Sequence, residues 1–329
     1  HRFVEYRKVF KQLYKQLRVV KPDLIYIGGD VVHGKLDTSP EEVRMVANFF
    51  LSLCKIAPTI VIPGNHDCNL NNKSREDTLS PIIDLVKKID PHLHYWKKSG
   101  TYTYENVDFG VMSIYDRDKG GNQLTIGLPD PTKFTNEHKV ALFHGGVDKH
   151  EYDNNFVVRD EHVKLDTFDG YDVVLLGDIH KRQFLNDEET IGYPGSLIQQ
   201  NFGERPSHGF LLWDLETKKA EYHPVKNDYG FKIINVESGV IQNKMNFVPI
   251  KGRVKIKYWD TTLEQIKDIQ MDLRRQYPKL KDVVTERQDN LSIGDDRENK
   301  LDIGDVRDIN YQNELIEDFL KRNALGIDD

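Results

Sequence analysis

Four short apolar runs share one pattern: each stops abruptly in a cluster of polar side chains. Leu24-Ile25-Tyr26-Ile27 leads into Gly28-Gly29-Asp30-Val31-Val32-His33, and Thr59-Ile60-Val61-Ile62 leads into Pro63-Gly64-Asn65-His66-Asp67. Val140-Ala141-Leu142-Phe143 leads into His144-Gly145-Gly146, and Val173-Val174-Leu175-Leu176 leads into Gly177-Asp178-Ile179-His180. Unbroken Val/Ile/Leu runs bounded by glycine and proline predict strands covered on both faces, because a strand with one wet face would alternate.

Helical spacing fills the gaps between these runs. Phe10, Leu13 and Leu17 line one side of a segment from Phe3 to Leu17. Ser39-Pro40-Glu41-Glu42 is a capping box with proline at the first helical position, and predicts a helix through about Leu53. Ser80-Pro81 predicts another through about Lys88. Strands alternating with helices imply a layered α/β fold whose ligands gather at the carboxyl ends of the strands, which is where the polar clusters fall.

The texture changes after Gly230. Strands are expected over Phe231–Val236, Arg253–Tyr258 and Lys281–Glu286, with a helix over Thr262–Tyr277, which makes a small α+β domain. The expected division is a core over 1–225, a small domain over 226–286, a charged linker over 287–308 and a last helix within 309–329. In that helix Tyr311, Leu315, Ile316, Phe319 and Leu320 form an apolar stripe.

Composition narrows the classes. With 38% hydrophobic and 30% charged residues the chain can build a real core, and no apolar run is long enough to span a bilayer. Two cysteines, Cys54 and Cys68, are too few for a disulfide framework or a cysteine-rich zinc site, and Cys68 reads as a small packing residue. The net charge of −7 disfavours a nucleic-acid partner only superficially. Of 53 acidic and 46 basic residues, 13 and 6 lie in 286–329, which leaves 40 of each in the body. A neutral body still permits a basic groove, and bound cations would add to it. The first residue is His1 rather than Met, so the N-terminus is expected to be truncated.

The strand-end residues carry the chemistry. Asp30, Asn65, His144, Asp178 and His180 are oxygen and nitrogen donors suited to Mn²⁺, Fe²⁺ or Zn²⁺, and two such ions can clamp a phosphate. His66 is then left over as an acid beside the leaving oxygen. Each residue also has a plain structural reading: Asn65 and Asp67 as turn formers, Asp30 as a helix cap, His144 as a half-buried core histidine. Asp-x-His by itself says little, since it recurs at Asp90/His92, Asp148/His150 and Asp160/His162; only Asp178/His180 follows a buried run. Four such ends in one chain favour a shared site.

At these residues the chain resembles the calcineurin-like metallophosphoesterases, whose second to fifth motifs are similar to Gly29-Asp30-x-x-His33, Gly64-Asn65-His66-Asp67, His144 and Gly177-Asp178-Ile179-His180. Tyr193-Pro194-Gly195-Ser196, Phe202-Gly203-Glu204 and Gly209-Phe210 further resemble the SbcD family of DNA repair and recombination nuclease subunits. The resemblance implies a layered β-sandwich flanked by helices, a small capping domain that touches DNA, and a C-terminal helix that docks on an SMC-like, SbcC-like ABC ATPase. It implies two divalent ions, Mn²⁺ by preference. Asp30 would bridge them, Asn65 and His144 would hold the second, His180 would bind the first, and Asp178 would be a further metal ligand. His66 would act at the scissile phosphate, with His33 and Asp67 as supports and Arg75, Lys181 and Arg182 as DNA backbone contacts.

Two departures qualify that picture. The family's first Asp-x-His motif is expected upstream of His1, and Asp178 stands where the family usually has histidine. The expected activity is 3′→5′ exonuclease and endonuclease cleavage in double-strand-break repair, in the cytoplasm at the nucleoid or in a host cytoplasm if viral, with no membrane association and room for a homodimer. Two alternatives stand beside it: a phosphoesterase on a small molecule or phosphoprotein, and a poorly active subunit that anchors the ATPase to DNA.

Overall fold

The computed structural model describes residues 2–34, 38–70, 72, 74–116, 127–159, 161–243 and 248–288. Residues 1–286 form one compact unit. The expected linker beyond Gln288 and the last helix lie outside the described residues.

Two sheets face one another. The first is parallel, β1 (Ile25–Ile27), β2 (Thr59–Val61) and β3 (Leu93–Tyr95) in that order, and carries the helices α1 (Phe3–Val20), α2 (Pro40–Cys54) and α3 (Leu79–Lys87). The second contains β4 (Gly100–Tyr104), β5 (Val107–Met112), β6 (His138–His144), β7 (Val173–Gly177), β8 (Gln183–Phe184) and β9 (Ile191–Tyr193), in the order β4-β5-β6-β7-β9-β8. Its centre, β5 to β7, is parallel.

Burial explains why the apolar runs are unbroken. Along β2 and the residue after it, Ile60 and Ile62 enter the layer between the sheets, whereas Val61 points into the helical layer with Phe50, Leu53 and Ile83. Along β6, Val140 and Leu142 join that same middle layer, and Ala141 and Phe143 pack on the outer side with Phe168 and Tyr193. Both faces of each strand are dry, so neither can be polar. The predicted layered β-sandwich flanked by helices is the fold observed.

Helix boundaries follow local chemistry. The Ser39 hydroxyl accepts the Glu42 N–H at 3.2 Å and starts α2 where the capping box predicts. α1 runs one turn past Leu17, and stops where Lys21 turns left-handed (φ 49°) and returns its N–H to Leu17. α3 begins at Leu79, one residue before the predicted Ser80, because the buried Asp77 carboxylate accepts the Leu79 and Ser80 N–H groups.

A hairpin of β10 (Gly209–Asp214) and β11 (Lys219–Pro224) leads to a four-stranded sheet, ordered β13-β12-β14-β15, made of β12 (Phe231–Glu237), β13 (Val240–Ile241), β14 (Arg253–Trp259) and β15 (Asp282–Arg287). Ile234, Val236, Val254 and Ile256 on one face pack against Ile266 and Leu273 of α4 (Leu263–Gln276), a core separate from the layers above. The loop that carries Gln199 ties this sheet to the rest: Gln199 accepts the Phe231 N–H at 2.8 Å and donates to the Glu204 carbonyl at 2.8 Å. Among the described residues no helix is long and apolar enough to cross a membrane.

Candidate metal centre

Four strands deliver their polar ends to one place: β1 and β2 from the first sheet, β6 and β7 from the second. Glycines let them meet. A Cβ on Gly29 (φ +92°) would strike the Gly64 backbone N and His144 Nδ1, both at 2.6 Å, and one on Gly64 would strike Asp30. A Cβ on Gly177 would collide with the Gly28 carbonyl and lie 2.9 Å from His144 Nδ1. The glycines that end the runs thus set the closeness of the four ends.

Asp30, His144 and Asp178 come together there, with one donor atom of each within 4.8 Å of the others. His144 is buried, and its Nδ1 bonds the Gly28 carbonyl oxygen at 2.5 Å, which turns a bare Nε2 toward the two carboxylates. Nε2 lies 3.4 Å from Asp30 Oδ1 and 3.7 Å from Asp178 Oδ1 and makes no hydrogen bond; the Asn65 amide oxygen is likewise buried and unsatisfied. Those separations are long for direct hydrogen bonds. They approach the spacing of neighbouring ligands on one ion, about 3.0–3.4 Å for bonds of about 2.1 Å. Asp30 (φ 54°) and Asp178 (φ 92°) both hold left-handed backbone conformations, a strain that β1 and β7 impose where they end. Two carboxylates and an imidazole nitrogen so placed fit a divalent cation.

The electrostatics agree with that fit. Burial would push the Asp30 carboxyl up, but His144 and the His66 N–H (2.8 Å from Oδ1) outweigh it and hold it below its ordinary value. Burial would lower His144, but Asp30 and Asp178 raise it above the usual imidazole range. The pocket therefore favours positive charge, which a cation supplies when His144 is neutral and ligating.

A family model described as calcineurin-like phosphoesterase matches residues 1–182, which contain this centre. The chain belongs to that family. It is 40% identical over 279 residues, 83% of its own length, to an uncharacterized protein of Acanthamoeba polyphaga mimivirus, and spans only 20% of that protein. It is 26% identical over 251 residues to a putative phosphoesterase of Invertebrate iridescent virus 6, which covers 68% of this chain and 79% of that one. A metal-dependent hydrolase of phosphate esters is the activity of the family.

The other residues expected at the site lie around this centre. Asp67 is buried under the β2 end, accepting the Val32 N–H (3.0 Å) and the Gly64 N–H (2.8 Å), so it clamps the β1 and β2 loops together. Burial pushes its carboxyl up to about 7 in spite of those bonds. The His33 and His66 rings stack 4.8 Å apart at 16°, and His66 Nδ1 lies 3.3 Å from the His33 carbonyl oxygen. His33 thus orients the His66 ring. His180 is half exposed on the loop after β7, and both Asp178 and Asp30 act on it electrostatically.

The three expected DNA contacts separate. Arg182 is exposed, with its guanidinium 3.7 Å from the Tyr222 ring centroid. Arg75 is exposed and lines a shallow cavity with Thr38, Val43, Ile82 and Leu85. Lys181 differs from the expectation: it is only 8% exposed and its ammonium pairs with Glu151 at 2.6 Å, so it is an internal ion-pair partner rather than a surface cation. A basic residue in a loop after a strand reads the same in sequence whether it points out or in.

Sequence reasoning missed several supports. The buried Tyr193 hydroxyl donates to the Gly145 carbonyl at 2.7 Å and accepts the Val147 N–H at 3.0 Å, holding the loop after His144. Gly195 (φ +78°) presses on the His180 carbonyl, where a Cβ would sit at 2.7 Å, and the Ser196 N–H bonds that same oxygen at 3.1 Å. Glu204 bonds His180 itself. The Tyr-Pro-Gly-Ser and Phe-Gly-Glu clusters were the available signal for these roles.

Proposed function

We propose that the chain is the nuclease subunit of a DNA repair or recombination assembly, a metal-dependent phosphodiesterase acting with an SMC-like ABC ATPase. The observation that carries the hydrolytic part is the convergence of Asp30, His144 and Asp178, with the His66 N–H on Asp30. Divalent ions bound there, Mn²⁺ foremost, would neutralise charge on the phosphate and generate hydroxide near neutral pH. Asp30, Asn65, His144, Asp178 and His180 would hold them. His66, aligned by its stack on His33, would give a proton to the leaving 3′ oxygen or stabilise the crowded phosphate. Asp67 keeps the β1 and β2 loops that carry Asp30 and Asn65 in register.

A polymeric substrate is supported by cationic and aromatic groups close to the His180 loop. Arg182 is exposed over the Tyr222 ring, two residues from His180. Such groups suit a phosphate backbone with unpaired bases. In this reading the ATPase engages residues 309–329, whose sequence carries the apolar positions Tyr311, Leu315, Ile316, Phe319 and Leu320. A second reading, hydrolysis of a small phosphate ester, draws on the iridescent virus relative, which is named only a putative phosphoesterase.

One assay pair separates the readings. With Mn²⁺, the protein is expected to release nucleotides from linear duplex DNA as well as hydrolyse bis-p-nitrophenyl phosphate. Turnover of the small diester with intact DNA after long incubation refutes the nuclease assignment. Deletion of 309–329 is expected to abolish ATPase binding and to leave diester hydrolysis unchanged; unaltered ATPase binding refutes the docking assignment.

A further inference from the structure

We infer that Glu204 is a positioning residue that fixes the His180 ring for metal binding, through a hydrogen bond from His180 Nδ1–H, and that it links the centre to the small sheet. The inference rests on His180 being a metal ligand, as in the function proposed above. Glu204 is distant in sequence and follows no buried apolar run, so it carries no ligand signature of its own.

The geometry is specific. Glu204 is buried, yet every polar contact around it is satisfied: Oε1 takes the His180 Nδ1 proton at 2.8 Å and an Asn201 amide proton at 2.9 Å, and Oε2 takes the Gln200 N–H at 2.7 Å. A carboxylate on Nδ1 puts the proton on that nitrogen and leaves Nε2 with its lone pair outward, the form a cation needs. It also stops rotation of a ring that is otherwise half exposed. His208, from the other side, has Nε2 3.8 Å from Glu204 Oε2 and bonds the Ser196 and Arg205 carbonyls, bracing the loop at both of its ends.

The same loop reaches outward. Gln199 holds the Glu204 carbonyl and both backbone groups of Phe231, the first residue of β12. Arg2 bonds Glu5, the Gln199 carbonyl and Gln200. Glu5 also pairs with Arg253 at the start of β14. A displacement of the small sheet would therefore reach Glu204, and His180 through it, without passing through the strands that carry Asp30 and His144.

Two measurements on the full chain test this. Ring ¹⁵N spectra, with the His180 signals assigned by their loss in His180→Asn, are expected to show the Nδ1–H form in the metal-free protein. An Nε2–H form overturns the inference, and needs no variant at position 204. Titration calorimetry with Mn²⁺ is expected to show roughly 10- to 100-fold weaker binding of the His180-dependent ion in Glu204→Ala. In Glu204→Gln, whose amide oxygen can still accept the proton, affinity is expected within about threefold of wild type. Folded Glu204→Ala with unchanged Mn²⁺ affinity, or loss in Glu204→Gln as large as in Glu204→Ala, overturns it. The underlying function fails separately: an Asp30→Asn protein that still hydrolyses the diester refutes the phosphoesterase centre, whereas a dead Asp30→Asn with Glu204→Ala like wild type refutes only the role of Glu204.

Discussion

Gly177 and Gly28 touch one another, yet alanine should be costly at the first position and nearly neutral at the second. A Cβ on Gly177 collides with the Gly28 carbonyl oxygen and lies 2.9 Å from His144 Nδ1, so it enters the hydrogen bond that those two groups form. A Cβ on Gly28 meets its nearest atoms, Gly177 Cα and the Tyr26 ring, at 3.4 and 3.5 Å, which is ordinary contact. Neither glycine has a positive φ, so the difference is steric and not a matter of backbone freedom. Overpacking in Gly177→Ala costs about 1–3 kcal/mol. Stranding the buried His144 N–H costs about 1–3 kcal/mol more. The expected loss is about 2–6 kcal/mol out of about 5–15 kcal/mol for a typical domain, so the variant melts early. Gly28→Ala should stay within about 1 kcal/mol of wild type. The chemical consequence is sharper. Nδ1 bonded to the Gly28 carbonyl keeps Nε2 bare toward Asp30 and Asp178, so Gly177→Ala should also weaken Mn²⁺ binding by roughly 10- to 100-fold. Urea denaturation gives the first quantity and titration calorimetry the second. Equal stability of the two variants refutes the packing account. A destabilised Gly177→Ala that binds Mn²⁺ like wild type refutes the link between the glycine contact and the ligand.

Three further outcomes are expected. Asp67→Ala leaves the Val32 and Gly64 N–H groups buried without acceptors and should cost about 2–5 kcal/mol in urea denaturation; a loss under about 1 kcal/mol would mean that water replaces the carboxylate. His66→Ala should reduce diester turnover about 10²- to 10⁴-fold while Mn²⁺ affinity stays constant, and a parallel fall in affinity would make His66 a ligand instead. Asp108 supplies a pH signature. Burial pushes its carboxyl up, but bonds from Thr103, Asn136 and Thr135 outweigh this and hold it at about 2, below the unfolded value near about 3.9. Its contribution is therefore whole above about pH 4 and is lost as pH falls through about 2. The shift corresponds to about 3 kcal/mol, which nearby solvent reduces to about 1 kcal/mol. Asp108→Asn should flatten the stability curve across that window, and an unchanged curve would reject the assignment.

Much of this was legible along the chain. The four buried runs announced β1, β2, β6 and β7 because a strand covered on both sides cannot alternate, and the donors Asp30, Asn65, His144 and Asp178 were legible because they sit where those runs stop. Ser39 announced its helix through local hydrogen bonding. β8, β10 and β11 gave no such signal, since they are short or only half covered. The order β4-β5-β6-β7-β9-β8 is equally absent from any periodicity.

What the sequence determined by itself was which residues end a dry strand and what donor each carries, since burial and hydrogen bonding leave a local trace. What the tertiary structure alone decided was direction and distance. It turned Lys181 inward to Glu151, set the Gly28 carbonyl behind His144, and brought Glu204 across 24 residues to His180. Such pairings depend on how two sheets and a loop stack in space, and a carboxylate has the same letter whether it faces water, a lysine or the back of an imidazole.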